Sequence, residues 1–304
     1  MKKNHEKGIG EKSQFSSCHP AVNMVFFLFA ITITMFSNDP IFLVITIVFS
    51  WWYSILLRGK EGIKFNIIVT VPVFLFMALI NTLFTHNGAT VLFYISDNRI
   101  TLEAFIFGAA SALLLSAIIV WFSCFNVVMS SDKIIYIFGK AAPVLGLTFS
   151  MIFRFIPLLK NRYREISLGQ KCMGRHGEKG LMNRTRQLVK EVSILISWSL
   201  EASIETADSM EARGYGLHGR TSFHLFKFSG RDKKMMAILL ISGVIALIGC
   251  GMGETSIYYY PVIRMAEWSI LRIASLLAYC ALLASPLIMD ILGEKRWQRL
   301  RYEI

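Results

Sequence analysis

The sequence predicts an all-α, polytopic membrane protein: about six transmembrane helices, with long cytoplasmic helices inserted between the fourth and the fifth. Three observations predict it. The chain is 54% hydrophobic with a mean hydropathy of +0.52, whereas a soluble protein of this size usually lies near neutral or below. Its apolar residues are bunched into long runs. Its basic residues avoid alternate connections between those runs.

The runs are Ala21–Phe36, Ile41–Leu57, Phe65–Phe84, Glu103–Ser130, Met235–Gly251 and Trp268–Leu292. Each is close to the roughly 17 to 25 residues that a helix needs to cross a bilayer. The first two are short and read as a hairpin through Ser37, Asn38, Asp39 and Pro40. The first run is not expected to be a removable signal peptide: a long polar stretch precedes it, no small-residue cleavage site follows, and a second span comes at once. The expected organisation is therefore residues 1–130 as an N-terminal transmembrane part with four helices, 131–234 as a cytoplasmic helical region, and 235–304 as a C-terminal transmembrane part with two helices.

The net charge of +12 is unevenly placed. Lys2, Lys3, Lys7 and Lys12 precede the first run, Arg58, Lys60 and Lys64 follow the second, eighteen Lys and Arg fall within 131–234, and Lys295, Arg296, Arg299 and Arg301 end the chain. The other connections hold only Arg99 and Arg264, while Arg272 sits inside the last run. The positive-inside rule places both termini in the cytoplasm and Thr85–Leu102 outside. The basic excess is thus a topology signal that points to a lipid bilayer. Nucleic acid is not an expected partner, because no aromatic-basic surface module accompanies the charge.

Chemistry-bearing motifs are missing. Cys18, Cys124, Cys172, Cys250 and Cys280 are odd in number, scattered and without a C-x-x-C pair, so neither a disulfide framework nor a zinc site is expected. The six histidines have no metal-ligand spacing, and His86 reads as structural or interfacial. There is no G-x-x-x-x-G-K-[ST] phosphate loop. The glycines at 249, 251 and 253 end an apolar run, which suits helix termination better than nucleotide binding. No nucleophile–His–acid set or carboxylate dyad suggests catalysis, so the chain is not expected to be an enzyme or to carry a cofactor. The spans hold few ionisable residues, and the two halves show no inverted repeat, against a proton- or ion-coupled carrier.

The connection 131–234 has a helical pattern. Ala142–Ile166 mixes apolar and basic residues, with Arg154 placed to snorkel toward headgroups and Pro157 placed to bend the axis. A polar break follows at Gly174–Gly180. A second helix is expected from about Asn183 to Arg213, roughly 45 Å long. On it Glu201, Glu205, Asp208 and Glu211 form one acidic stripe, suited either to a solvated face or to a partner. Ser199, Ser203, Thr206 and Met210 fall opposite, where small side chains allow close helix approach. Ala212, Arg213 and Gly214 close the helix. Gly214 and Gly216 suit a helix end, and Arg213 complements the dipole there.

Taken in order, N-T-L-F-T-H-N-G at Asn81–Gly88, L-F-Y-I at Leu92–Ile95, T-L-E-A at Thr101–Ala104, S-S-D-K at Ser130–Lys133, R-F-I-P at Arg154–Pro157, E-T-A-D-S-M-E-A-R-G-Y-G at Glu205–Gly216 and G-R-T-S-F at Gly219–Phe223 resemble the transmembrane T component of energy-coupling factor (ECF) transporters, the EcfT/CbiQ family. The resemblance covers nearly the whole chain. It implies a non-enzymatic subunit in a bacterial or archaeal cell membrane that couples two cytoplasmic ABC-type ATPase subunits to a separate, membrane-embedded substrate-binding S component, for uptake of a vitamin or metal ion. It also implies two coupling helices, each ending in a short Arg-containing motif that docks on one ATPase. The second motif carries over as Ala212, Arg213 and Gly214. The first departs from the common A-Q-x-A-R-G: this chain reads G-Q-K-C-M-G-R at Gly169–Arg175. Met173 holds the usual arginine position, and Arg175 lies two residues beyond it. The first motif therefore transfers as a region, with Gln170, Gly174 and Arg175 as its candidates. The alternative is a stand-alone secondary transporter whose cytoplasmic helices form a gate.

Overall fold

The computed structural model describes residues 13–85, 88–95, 98–174, 181–217, 226–260 and 268–302. Arg175, His86 and Gly219–Phe223 lie outside the described residues. The chain divides into two units, one formed by residues 1–130 with 226–304 and the other by 131–225.

The first unit begins with α1 (Pro20–Phe36) and α2 (Pro40–Arg58). Each starts with a proline at its first turn, where no N–H is needed. The side chains of His19 and Asp39 cap them, accepting from the N–H groups of Ala21 at 3.2 Å and Ile41 at 3.0 Å. After α3 (Lys60–Phe84) come two short antiparallel strands, β1 (Val91–Ile95) and β2 (Asn98–Thr101), and then α4 (Leu102–Val128). The ribbon lies in what the sequence suggested was a plain outer loop. It is tied down by Glu103, whose carboxylate accepts from the Thr90 N–H at 3.1 Å and from the Thr90 hydroxyl. The unit closes with α8 (Gly230–Gly251), opened by a reciprocal Ser229–Asp232 cap, and α9 (Ile270–Tyr302).

Its core is apolar and aromatic. Phe15, Phe26, Phe27, Tyr53 and Trp121 are buried and meet edge to face or tilted at centroid separations of 5.1–6.4 Å. Tyr279 on α9 bonds Thr34 of α1 at 2.9 Å and Thr46 of α2 at 2.7 Å. In hydrocarbon such polar groups must find partners inside the protein. Close approach is built from small residues. A Cβ on Gly243 of α8 would lie 2.7 Å from the Phe29 ring of α1.

Arg272, inside the last span, is almost wholly buried and forms an ion pair with Asp39 at the start of α2. Its guanidinium also lies 5.0 Å from the Trp268 ring. The same corner is closed by the N–H groups of Asn38 and Asp39, which donate to the Thr255 carbonyl at 3.1 and 3.0 Å, and by the Tyr259 hydroxyl, which donates to the Asn38 carbonyl at 2.6 Å. Burial first, and then the Asp39 charge, push the Tyr259 phenol up to about 12, so it stays a donor at physiological pH.

Among the described residues, six helices are long and apolar enough to cross a membrane, but they are not the six runs read from the sequence. α1 has 17 residues, about 25 Å of helix, somewhat less than a hydrocarbon core of roughly 30 Å. The sixth long apolar helix is Val144–Cys172, in the second unit. Its apolar half, Val144–Leu159, is continuous with a charged half in one helix, so length and mean composition both pass. Its mean hydropathy over the best stretch is 1.3, against 1.9–2.4 for the other five.

Candidate coupling site

The second unit consists of α5 (Ser131–Ala141), α6 (Pro143–Cys172) and α7 (Leu181–Ala212). α5 folds back on α6 where Gly139 meets Gly146 backbone to backbone. α6 is 30 residues and α7 is 32, about 45 and 48 Å of helix. Pro157 sits inside α6 without ending it.

α6 and α7 pack along matched stripes. On α6 the half-buried residues include Met151, Phe155, Leu159, Arg162, Tyr163 and Ile166; on α7 they include Gln187, Leu195, Trp198, Ala202, Thr206 and Met210. These spacings of three and four mark one face of each helix. The Arg162 guanidinium lies 5.1 Å from the Trp198 ring. Thr206 and Met210, expected opposite the acidic stripe, lie on this packed face, while Ser203 is exposed and turns its hydroxyl back to the Ser199 carbonyl at 2.6 Å. Glu201, Glu205, Asp208 and Glu211 are all exposed.

The two helices share a glycine at the cap. At the end of α7, Gly214 adopts a left-handed φ of 79°; its N–H donates to the Glu211 carbonyl at 2.8 Å, and the Tyr215 N–H reaches back to the Met210 carbonyl at 3.0 Å. This paired arrangement satisfies carbonyls that the helix leaves open and selects glycine. It leaves Arg213 as the exposed residue at the rim, with Tyr215 and Leu217 exposed beside it. At the end of α6, Gly174 has a φ of 73° and its N–H donates to the Lys171 carbonyl at 3.0 Å. In cap register Gly174 matches Gly214, and Met173, 60% exposed, stands where Arg213 stands. Gln170 is buried.

Glu191 was not singled out in the sequence. It is 2% exposed and accepts from the Gln187 side-chain amide at 3.0 Å. Its signal is phase: with Gln187, Leu195, Trp198 and Ala202 it keeps the apolar stripe's spacing, out of step with the acidic one. No cluster of three or more His, Cys, Asp or Glu able to hold a metal occurs among the described residues.

A body of long apolar helices with an internally paired charge, joined to a separate unit of long exposed helices, defines a polytopic helical membrane protein. Comparison with known proteins narrows the class. Residues 11–225 match the CbiQ family, described as cobalt transport protein, and the chain belongs to that family. It is similar to the energy-coupling factor transporter transmembrane protein EcfT of Streptococcus thermophilus, 26% identical over 239 residues that cover 74% of this chain and 90% of the relative. The EcfT of Streptococcus equi is 24% identical over 242 residues, 74% and 88% of the two chains. That of Bacillus selenitireducens is 34% identical over a shorter stretch of 99 residues, 32% and 37% of the two chains.

Proposed function

We propose that this chain is the transmembrane coupling subunit of an ECF-type importer. It transmits ATP hydrolysis by two separate cytoplasmic ABC-type ATPase subunits to a separate membrane-embedded S component that binds a vitamin or metal ion. The observation that carries this reading is the pair of long helices with equivalent glycine caps, each presenting an exposed side chain at its tip. A stiff helix transfers displacement over tens of ångströms, and an Arg fork can hold carboxylates or carbonyls on a partner. Arg213 is assigned to one ATPase with Ala212 and Gly214. The region Gln170–Arg175 is assigned to the other, with Gly174 setting the cap. The chain itself is assigned no catalytic step, because its sequence has no phosphate-cradling loop.

Both termini and the second unit are assigned to the cytoplasm. If α6 crossed the membrane, the basic residues Arg184, Arg186 and Lys190 that follow it would lie outside, against the positive-inside pattern; Arg154 within its apolar half also disfavours a crossing. That apolar half, exposed at Val144, Leu145, Ile152 and Ile156, suits a surface that slides against the S component and lipid. The test is co-purification: ATPase and S-component subunits are expected to copurify with the wild-type chain, and Arg213→Ala is expected to weaken ATPase retention or to uncouple hydrolysis from uptake. If Arg213→Ala leaves assembly and uptake intact, Arg213 is only a helix cap and the assignment fails.

A further inference from the structure

One end of the membrane unit sorts its side chains in the reverse of a water-facing surface. The end of α1, the starts of α2, α4 and α9, and the segment after α8 meet there. Asn38 and Asp39 bond Thr255, Arg272 pairs with Asp39, and the Phe107 ring of α4 lies 5.3 Å from that of Tyr259. Three of its charged side chains turn inward: Asp39 and Arg272 are buried against each other, and Glu103, 4% exposed, is bonded by Thr90. Five of its aromatic side chains turn outward: Phe36, Phe84, Tyr94, Tyr258 and Trp268 are between 62% and 78% exposed.

Helix register places these five where the apolar spans end. The run Phe65–Phe84 is about 30 Å of helix, the thickness of a hydrocarbon core, and Phe84 closes it. Gly108 of α4 lies against Ala78 and Asn81 of α3, which sets Phe84 level with the first turn of α4. The ribbon runs straight into that turn, since β2 ends at Thr101 and α4 starts at Leu102. Phe36 ends α1, and Trp268 precedes α9 with its ring on the Arg272 guanidinium. Tyr258 stands outward between Ile257 and Tyr259, both buried.

The pattern fits lipid better than water or a single protein partner. Tyr and Trp carry an apolar ring and a polar tip, and so favour the headgroup layer. The five do not form one patch: α3 packs on α2 and α4, whereas α8 packs on α1 and α9, so Phe84 and Tyr258 stand on different parts of the body. A chain segment in a layer poor in water must pair its own backbone groups, and β1 and β2 do so. In their register Tyr94 stands opposite Arg99, which is exposed and offers a guanidinium to phosphate oxygens.

We propose that this rim is a phospholipid-headgroup contact: Phe36, Phe84, Tyr94, Tyr258 and Trp268 seat the membrane unit in the interfacial layer, and the ribbon Val91–Thr101 lies on the lipid rather than in bulk water. The inference needs the membrane body alone and not the coupling reading.

The experiment measures depth in full-length protein in nanodiscs of phosphatidylcholine and phosphatidylglycerol, with Cys172, Cys250 and Cys280 replaced by Ser. A spin label at Val91→Cys, on the ribbon, is compared with labels at Leu75→Cys in the middle of α3 and at Leu217→Cys in the second unit, all three positions being exposed. Collision with oxygen, which concentrates in lipid, and with a water-soluble nickel chelate reports the depth. The ribbon label is expected to meet the chelate several-fold less often than the Leu217→Cys label and more often than the Leu75→Cys label. Adding Tyr94→Ser is expected to move it toward water, and Tyr94→Trp to leave it in place. A ribbon label as open to the chelate as the Leu217→Cys label overturns the proposal, and so does one shielded from both reagents, which would put protein on the rim. Trp268 gives a second reading without labels: the emission lost in Trp268→Phe is expected to be quenched more by lipid brominated near the headgroup than by lipid brominated near the chain ends. The reverse order, or no quenching by either lipid, overturns the proposal.

Discussion

The two units solve the burial problem in opposite ways. The membrane unit has a continuous apolar core around Phe26, Tyr53 and Trp121, and its buried charges are paired within the protein, Arg272 with Asp39. The α5–α7 unit contributes no residue to a buried apolar cluster among the described residues, and its deepest side chains on the long helices are Gln170 and Glu191. A dense core has one good packing and resists deformation. A half-buried stripe without such a core is not constrained in that way. The difference teaches where this chain's packing is fixed by a core and where it is not.

Truncating one aromatic residue in each unit tests that contrast most severely. Phe26→Ala removes a fully buried ring and is expected to cost about 3–5 kcal/mol. Trp198→Ala, half-buried between α6 and α7, is expected to cost no more than about 1–2 kcal/mol. Thermal unfolding in detergent checks both, and equal losses would erase the distinction. Next comes the ion pair. Arg272→Leu alone is expected to destabilise by about 3–5 kcal/mol because it strands a buried Asp39, while the double change Asp39→Leu with Arg272→Leu recovers most of that loss. A double-mutant cycle measures the recovery. Gly243→Val drives a side chain into the Phe29 ring and is expected to cost about 1–3 kcal/mol, whereas Gly169→Ala, with open space around its Cβ position, is expected to be neutral or slightly stabilising, since alanine is the better helix former. Arg213→Ala, exposed, should leave the unfolding temperature unchanged while reducing ATPase retention. Met173→Ala is expected to have the smallest effect on either readout, and a large one would make Met173 itself the contact of the first motif.

Much of this was legible in the chain. α7 was expected from about Asn183 to Arg213 and runs from Leu181 to Ala212, because a long periodic pattern closed by Arg-Gly gives both the helix and its end. The apolar runs gave the membrane class. What was not legible has specific physical causes. The ribbon at Val91–Thr101 has strands of five and four residues, too short for alternation to stand out in a loop. α1 and α6 exchanged places in the set of long apolar helices because hydropathy averages over a helix whose halves differ, and because Pro40 cuts the first hairpin short. The Asp39–Arg272 pair joins residues 233 positions apart, and no local pattern encodes such a distance. Glu191 was overshadowed by four exposed acids farther along α7, although its phase with Leu195 and Trp198 marked it as inward-facing. The equivalence of Met173 and Arg213, implied by the resemblance, has its backbone counterpart in the left-handed φ at Gly174 and Gly214.

The ion pair has one more consequence, and it concerns time. Asp39 stands at the threshold of the second helix, and its partner arrives only with the last. While the chain is being made, all the helices between them emerge before the carboxylate can be neutralised, and an unpaired charge near hydrocarbon is costly. The early hairpin therefore waits in an unfinished state until α9 enters. A chain stopped before Arg272 leaves that corner open, with Thr255 and Tyr259 unable to close it alone. The pair thus works as a completion mark: a membrane body that has closed it has been synthesised into its final helix.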